Sequence, residues 1–192
     1  MQQIVILVGK TCTGKTTLAK HLEESAGFDR IRTATTRPRR DGEPPYAYYF
    51  FKRNNFDHYQ YEEAFLEVDE VNGFKYGSFY RDYLFDDTND HLNKVVILTP
   101  EGVYNAVEQI DKDSLLIIWV DPPEEDVLKH AVARGDSISW VRKRLEEEGE
   151  IFERFEHSAL ADMVFYKNES IEEMADWIIK VCDERDVAFG RK

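Results

Sequence analysis

Ile4-Val5-Ile6-Leu7-Val8-Gly9-Lys10-Thr11-Cys12-Thr13-Gly14-Lys15-Thr16-Thr17 is the stretch on which the rest of the chain is read. Ile4 to Val8 is an unbroken apolar run rich in β-branched residues, the pattern of a strand buried on both faces of a parallel sheet. Gly9 to Thr16 has the spacing G-x-x-x-x-G-K-[ST]. Residues 15 to about 26 follow with helical apolar spacing at Leu18, Ala19 and Leu22, ending at Gly27. In that strand–loop–helix setting the glycines let the backbone curl until successive N–H groups face one anion, and the helix N-terminus adds partial positive charge. Gly9, Thr11, Cys12, Thr13, Gly14, Lys15, Thr16 and Thr17 are thus candidate contacts for a nucleoside triphosphate. Lys15 is placed to reach the β- and γ-phosphates, and the Thr16 hydroxyl to sit on Mg2+.

Working outward, the same alternation recurs. Strands are expected at 95–98, 115–120 and 163–166, and helices at 100 to about 110, 122–134, roughly 137–157 and from Ser170 onward. Ser170 and Glu173 have the spacing of a capping box. The predicted class is α/β with a parallel sheet flanked by helices.

Residues 45–78 break the pattern. A strand is expected at 48–51, a short helix at 54–64, and a hairpin of 65–71 with 74–78 around Asn72-Gly73. With a two-residue turn, Val71 faces Phe74, Asp69 faces Tyr76 and Glu67 faces Ser78. The period of two then places Glu67, Asp69, Tyr76 and Ser78 on one face. Such a polar face would suit a small-molecule site, although on the hairpin alone plain solvation is the favoured reading.

The chain has 192 residues and a net charge of −13, a field that repels nucleic acid and anionic membranes. A phosphate site must therefore be locally basic, and residues 30–40 supply five arginines: Arg30, Arg32, Arg37, Arg39 and Arg40. Cys12 and Cys182 are the two cysteines, far apart, which implies neither a disulfide framework nor a thiol metal site and fits a reducing compartment. The first apolar run is too short for a signal peptide, and no run reaches membrane-spanning length, so a cytoplasmic protein is expected.

A phosphate loop alone does not separate kinases from GTPases. The base-reading segment Asn-Lys-x-Asp of a GTPase is missing, since Asn93-Lys94 continues into Val95-Val96. The alternative is a second phosphate site, for an acceptor. Thr35-Thr36-Arg37-Pro38-Arg39-Arg40-Asp41-Gly42-Glu43, followed by Tyr49-Phe50-Phe51, resembles the T-T-R-x-x-R-x-G-E … Y-x-F signature of guanylate kinases. Phe65-Leu66-Glu67 and Tyr76-Gly77-Ser78 continue the likeness over nearly the whole chain.

The resemblance implies a single domain over 1–192: a P-loop NTPase-type core at about 1–33, 79–130 and 158–192, an inserted β-rich GMP-binding part at about 34–78, and an arginine-bearing helical lid at about 130–145. It implies ATP and GMP or dGMP as substrates with Mg2+ as cofactor, and a protein that is a monomer or a weak homo-oligomer. Arg37, Arg40, Tyr49 and Tyr76 would grip the GMP phosphate, while Thr33, Glu67 and Ser78 would read the base. The chemistry agrees: guanine presents adjacent N1–H and N2–H donors that one carboxylate can accept, and hydroxyls at Thr33 and Ser78 can donate to O6. Arg32 and Arg39 are expected to be surface charges.

Ala133-Arg134-Gly135 and Arg142-Lys143-Arg144-Leu145 look like the two ends of the lid, with Arg134 and Arg144 as clamps on the transferring phosphoryl group beside Lys15. Asn168 would touch adenine. The chain departs from the family where His130 stands for an arginine and where Thr99, an expected GMP contact, stands for an aspartate. Asp121 looks like a metal-holding aspartate by pattern, although the family has a proline-containing turn at that place. Two other readings remain at this point: a related kinase acting on another mononucleotide or a sugar phosphate, and a non-catalytic guanylate kinase-like binding module.

Overall fold

The computed structural model describes residues 2–40, 42–71, 73–84, 92–167 and 169–188. Ile4–Val8 forms β1, and all five of its side chains are buried. Alternation sends Ile4, Ile6 and Val8 into one core cluster and Val5 and Leu7 into another, so helices must cover both faces of the sheet. Around β1 lie β2 (Asp29–Arg30), β7 (Lys94–Ile97), β8 (Leu115–Val120) and β9 (Met163–Phe165), in the order β2-β7-β1-β8-β9. Every pair is parallel.

Four helices cover this sheet. α1 (Lys15–Ala26) and α6 (Ile171–Ala188) bury Leu18, Leu22 and Ile178 against the Val5 side. α3 (Pro100–Gln109) and α5 (Ile138–Ser158) bury Val103, Phe152 and Phe155 against the Ile4 side. Truncating a fully buried residue such as Ile6 or Leu22 to alanine costs about 2–5 kcal/mol. The capping box forms: Ser170 N–H donates to Glu173 at 2.9 Å, and Glu173 N–H donates to the Ser170 hydroxyl at 3.1 Å.

The insertion builds a second sheet of order β4-β3-β6-β5, from β3 (Ala34–Thr35), β4 (Tyr49–Phe50), β5 (Phe65–Val71) and β6 (Phe74–Phe79). α2 (Arg53–Tyr61) packs on it through Phe56, whose ring stacks on Phe65 at 4.6 Å. The hairpin register is the one its turn spacing predicts, with Val71 opposite Phe74, Asp69 opposite Tyr76 and Glu67 opposite Ser78. A short 3-10 turn, Tyr80–Tyr83, follows β6. Gln109 of α3 donates to the Leu66 carbonyl at 3.2 Å, tying the second sheet to the first.

The expected elements are all present, with no end shifted by more than three residues. The strand expected at 48–51 covers Tyr49–Phe50 alone, and the helix expected at 54–64 is Arg53–Tyr61. β2 and β3, two residues each, carry too little pattern to be read in advance. α4 (Glu124–Ala133) and the first turns of α5 complete the molecule above the loop that follows β1. β1 lies between β7 and β8, so connections leaving the sheet on its two sides open a crevice over the carboxyl ends of the strands.

Candidate active site

The loop after β1 is shaped by close packing as well as by turn geometry. A Cβ on Gly9 would come within 2.3 Å of the Val120 carbonyl oxygen, so a side chain there would push β1 and β8 apart. Gly14 caps α1 with φ 94°, and Cys12 takes φ 59°. The Thr13 hydroxyl, buried, donates to the Lys10 carbonyl at 3.0 Å and closes the loop. Lys15 turns back into it, its ammonium donating to the Lys10 carbonyl and to the Thr13 hydroxyl. Burial lowers the Lys15 pKa to about 8, partly opposed by the nearby Glu148 carboxylate. Thr16 and Thr17 stand exposed in the first turn of α1.

From this loop a cleft of about 600 Å3 runs to the second sheet, the size of a small-molecule site. Gly9, Thr11 and Lys15 line it from the loop, and Thr33, Glu67 and Tyr76 from the second sheet and the residue before it, with Thr99 also in the lining. Thr99 also caps α3, accepting the Gly102 N–H at 3.2 Å. The loop after β1 and the hairpin that carries Glu67 thus meet across one cavity.

Glu67 is the dominant group at the far end. It is 6% exposed and accepts the Ser78 hydroxyl at 2.8 Å. Burial pushes its carboxyl up to about 7, while the Ser78 hydroxyl and backbone N–H pull the other way. Solvation of a polar hairpin face is therefore the wrong account of this pair. Arg37, also buried, pairs with Glu43 at 2.8 Å and lies over the Tyr48 ring at 5.4 Å. Burial raises the Glu43 pKa, but the Arg37 hydrogen bond and the Arg40 N–H outweigh it and hold the carboxyl below its ordinary value.

Four expected acceptor contacts lie outside the cleft lining, the buried Arg37 among them. Tyr49 is turned away from the cleft: its N–H bonds the Thr33 carbonyl, and its ring packs edge-on against Phe79 at 5.9 Å. Because neighbours alternate along a strand, Tyr48 takes the cleft side, 6.4 Å from the Tyr76 ring, and it is the residue that the signature reading missed. Ser78 is fully buried behind Glu67, so it supports the carboxylate and does not face the cavity. The Arg40 side chain is exposed and lies outside the cleft lining, while its backbone N–H bonds Glu43 at 3.0 Å.

Above the loop, Val127, Ala131 and Val141 bury Cys12 in a small apolar cluster. Arg144 lines the cleft and pairs with Glu148. Arg134 pairs with Asp136 at 3.3 Å, its guanidinium 4.0 Å from the Cys12 sulfur, outside the cleft lining. Both arginine charges act on Lys15. Glu148 is a further group that no motif signalled: its second oxygen accepts the Thr11 N–H at 2.8 Å. Arg142 and Lys143 are exposed, as a helix face should be, whereas Arg32, expected on the surface, contributes to the cleft wall. Asn168 lies outside the described residues.

Among the described residues no group of three or more His, Cys, Asp or Glu side chains could hold a metal ion. Asp121 is half-buried and lies 3.9 Å from Lys10. One hydroxyl beside a phosphate loop nonetheless suits Mg2+, which keeps most of its waters and takes its other ligands from substrate phosphates.

The family model described as Guanylate kinase matches residues 1–183. A guanylate kinase of Thermus thermophilus is 31% identical over 189 residues, covering 95% of this chain and 82% of that protein. One from Symbiobacterium thermophilum is 29% identical over 147 residues, covering 75% and 69%. Among solved structures, guanylate kinase from Anaplasma phagocytophilum superposes with a TM-score of 0.72 over 95% of this chain and 85% of that one, at 24% identity, a likeness of fold.

Proposed function

The chain belongs to the guanylate kinase family, and on that premise we propose that it transfers the γ-phosphoryl group of ATP to GMP or dGMP. The observation that carries this reading is the single cleft that joins the phosphate loop to the buried Glu67 carboxylate.

ATP enters with its phosphates on the N–H groups of residues 9–17, and Lys15 swings from its loop partners to the β- and γ-phosphates. At the other end Glu67 accepts the N1–H and N2–H of guanine. Adenine has no donor pair on that edge and would leave the carboxylate buried and unpaired, which is how the site rejects it. Thr33 and Thr99 flank the base. Arg37, Tyr48 and Tyr76 form the phosphate grip, with Glu43 fixing the guanidinium.

In the transfer, an acceptor phosphate oxygen forms a new P–O bond as the bond to ADP breaks. That oxygen is already ionised near pH 7, so no general base is needed and the protein's task is alignment and charge neutralisation. Lys15, Arg144 and Arg134 supply the positive charge. Mg2+, held through the Thr16 hydroxyl and the phosphates, would add further charge neutralisation. The acceptor part at about 34–78 and the lid at about 130–145 close over the core to exclude water.

No described helix is long and apolar enough to cross a membrane. A cytoplasmic location, and a monomer or weak homo-oligomer, complete the reading.

The test is ADP formation from ATP and Mg2+ with GMP, dGMP, AMP, CMP, UMP, dTMP and ribose 1,5-bisphosphate as acceptors. Turnover restricted to GMP and dGMP is expected, with kcat reduced about 10²–10³-fold by Lys15→Met, a loss typical of one transition-state donor. Turnover of a different acceptor would refute base reading by Glu67; turnover of none would leave a binding module.

A further inference from the structure

We propose that Tyr83 is a positioning residue for base selection: its phenol donates to the Ser78 hydroxyl, which commits the Ser78 proton to Glu67 and so favours the ionised carboxylate that accepts from the purine edge. This rests on the reading that the far end of the cleft takes a guanine nucleotide.

The argument is a count of protons. The Ser78 hydroxyl has one proton and two close polar neighbours, Glu67 Oε1 at 2.8 Å and the Tyr83 hydroxyl at 2.7 Å. An ionised carboxylate can only accept, so Ser78 must donate to Glu67. Tyr83 must then donate to Ser78, since the serine has no second proton to give. The chain therefore runs in one direction, Tyr83 to Ser78 to Glu67, and each link polarises the next. Tyr83 is 3% exposed and belongs to the same buried core cluster as Leu66 and Val96, which restrains its ring. Burial and the facing Glu67 charge raise its pKa well above the ordinary value, so it keeps its proton, and it is the donor wherever Glu67 is ionised.

Other groups on the elements around Glu67 do not substitute for this link. Asp69, on its own strand, opposes its charge. Tyr76 on β6 and Glu101 at the start of α3 line the cleft, and Asp82 in the 3-10 turn is held by Arg81. From α3, Gly102 packs closely on the Glu67 stem and carries no charge. The Ser78 hydroxyl and N–H are the hydrogen-bond donors that favour the ionised carboxylate, and Tyr83 is what orients the hydroxyl.

The test is Tyr83→Phe, which keeps the ring and removes the donor. GMP binding is measured by calorimetry between pH 5.5 and 9, with kcat and KM for both substrates and with Ser78→Ala and the double variant alongside. The expected result is an alkaline shift of the midpoint for GMP binding and a Kd at pH 7 weaker by about three- to ten-fold, the loss of one hydrogen bond. Affinity should return to the wild-type value at pH 9, while KM for ATP and kcat at saturating GMP stay unchanged. A packing defect would not be repaired by raising the pH. In the Ser78→Ala background, Tyr83→Phe should have no further effect on GMP binding, because the phenol acts only through the serine. An unshifted midpoint, or additive losses in the double variant, would overturn the proposal. Wild-type protein that neither binds nor phosphorylates GMP would instead remove the reading on which it rests.

Discussion

Glu148 and Thr11 are 137 residues apart in the chain, and a carboxylate oxygen of the first accepts the backbone N–H of the second at 2.8 Å. The other oxygen of Glu148 pairs with Arg144. One carboxylate thus holds a backbone N–H of the loop and the Arg144 guanidinium together. On the proposed reading a nucleotide phosphate would claim both groups, so binding would displace Glu148 and free Arg144.

Replacing Glu148 by alanine should therefore tighten binding of a non-hydrolysable ATP analogue by about ten-fold or more, the worth of a charge-assisted hydrogen bond no longer broken. Calorimetry at constant pH and salt reads this directly. Weaker or equal binding would show that the carboxylate does not compete with phosphate.

Glu67 makes GMP recognition and stability respond to pH in opposite directions. Its carboxyl is raised from about 4.5 to about 7 by burial. Between those values the folded chain keeps a proton that the unfolded chain has released, so stability falls as pH rises through the window. GMP needs the ionised form, so its affinity rises through about pH 7. Denaturant melts and GMP titrations on wild type and Glu67→Gln check both signs. The variant should lose both trends while keeping the titration that belongs to the GMP phosphate itself.

Tyr48 and Tyr49 separate cleanly by face. Tyr48→Phe should raise KM for GMP by about ten-fold by removing a hydroxyl from the phosphate grip. Tyr49→Phe should stay within about two-fold. Steady-state kinetics at fixed ATP distinguishes them, and the reverse ranking would overturn the assignment of Tyr48 to the acceptor phosphate.

Gly102 marks how closely α3 approaches Glu67. A Cβ there would lie 3.3 Å from Glu67 Cγ and 3.2 Å from Leu98 Cβ. Gly102→Ala should cost about 1–3 kcal/mol of stability by overpacking and raise KM for GMP more than KM for ATP. Thermal melts and the two KM values test it; equal changes in both KM values would mean that the strain does not reach Glu67.

What could be read in advance followed the range of the interactions concerned. The phosphate loop was legible because its geometry is local, a strand end, a glycine-bearing turn and a helix start within a few residues. The pairing of Glu67 with Ser78 was legible because a two-residue turn and a period of two fix the register from the turn outward. The choice between Tyr48 and Tyr49 was not. Both Tyr48-x-Phe50 and Tyr49-x-Phe51 fit the same spacing, and the decision came from the pairing beside β3, where the carbonyl of Thr33, the residue before that strand, takes the Tyr49 N–H.

The sequence by itself determined the architecture, the glycine-bearing loop after β1 and the register that sets Glu67 opposite Ser78, because each is specified by neighbours along the chain. Only the tertiary structure decided that Ser78 supports Glu67 from behind, that Tyr83 stands behind Ser78, and that Glu148 reaches across to Thr11. Those contacts join separate elements whose approach is set by how two cores pack, and no spacing rule encodes that distance.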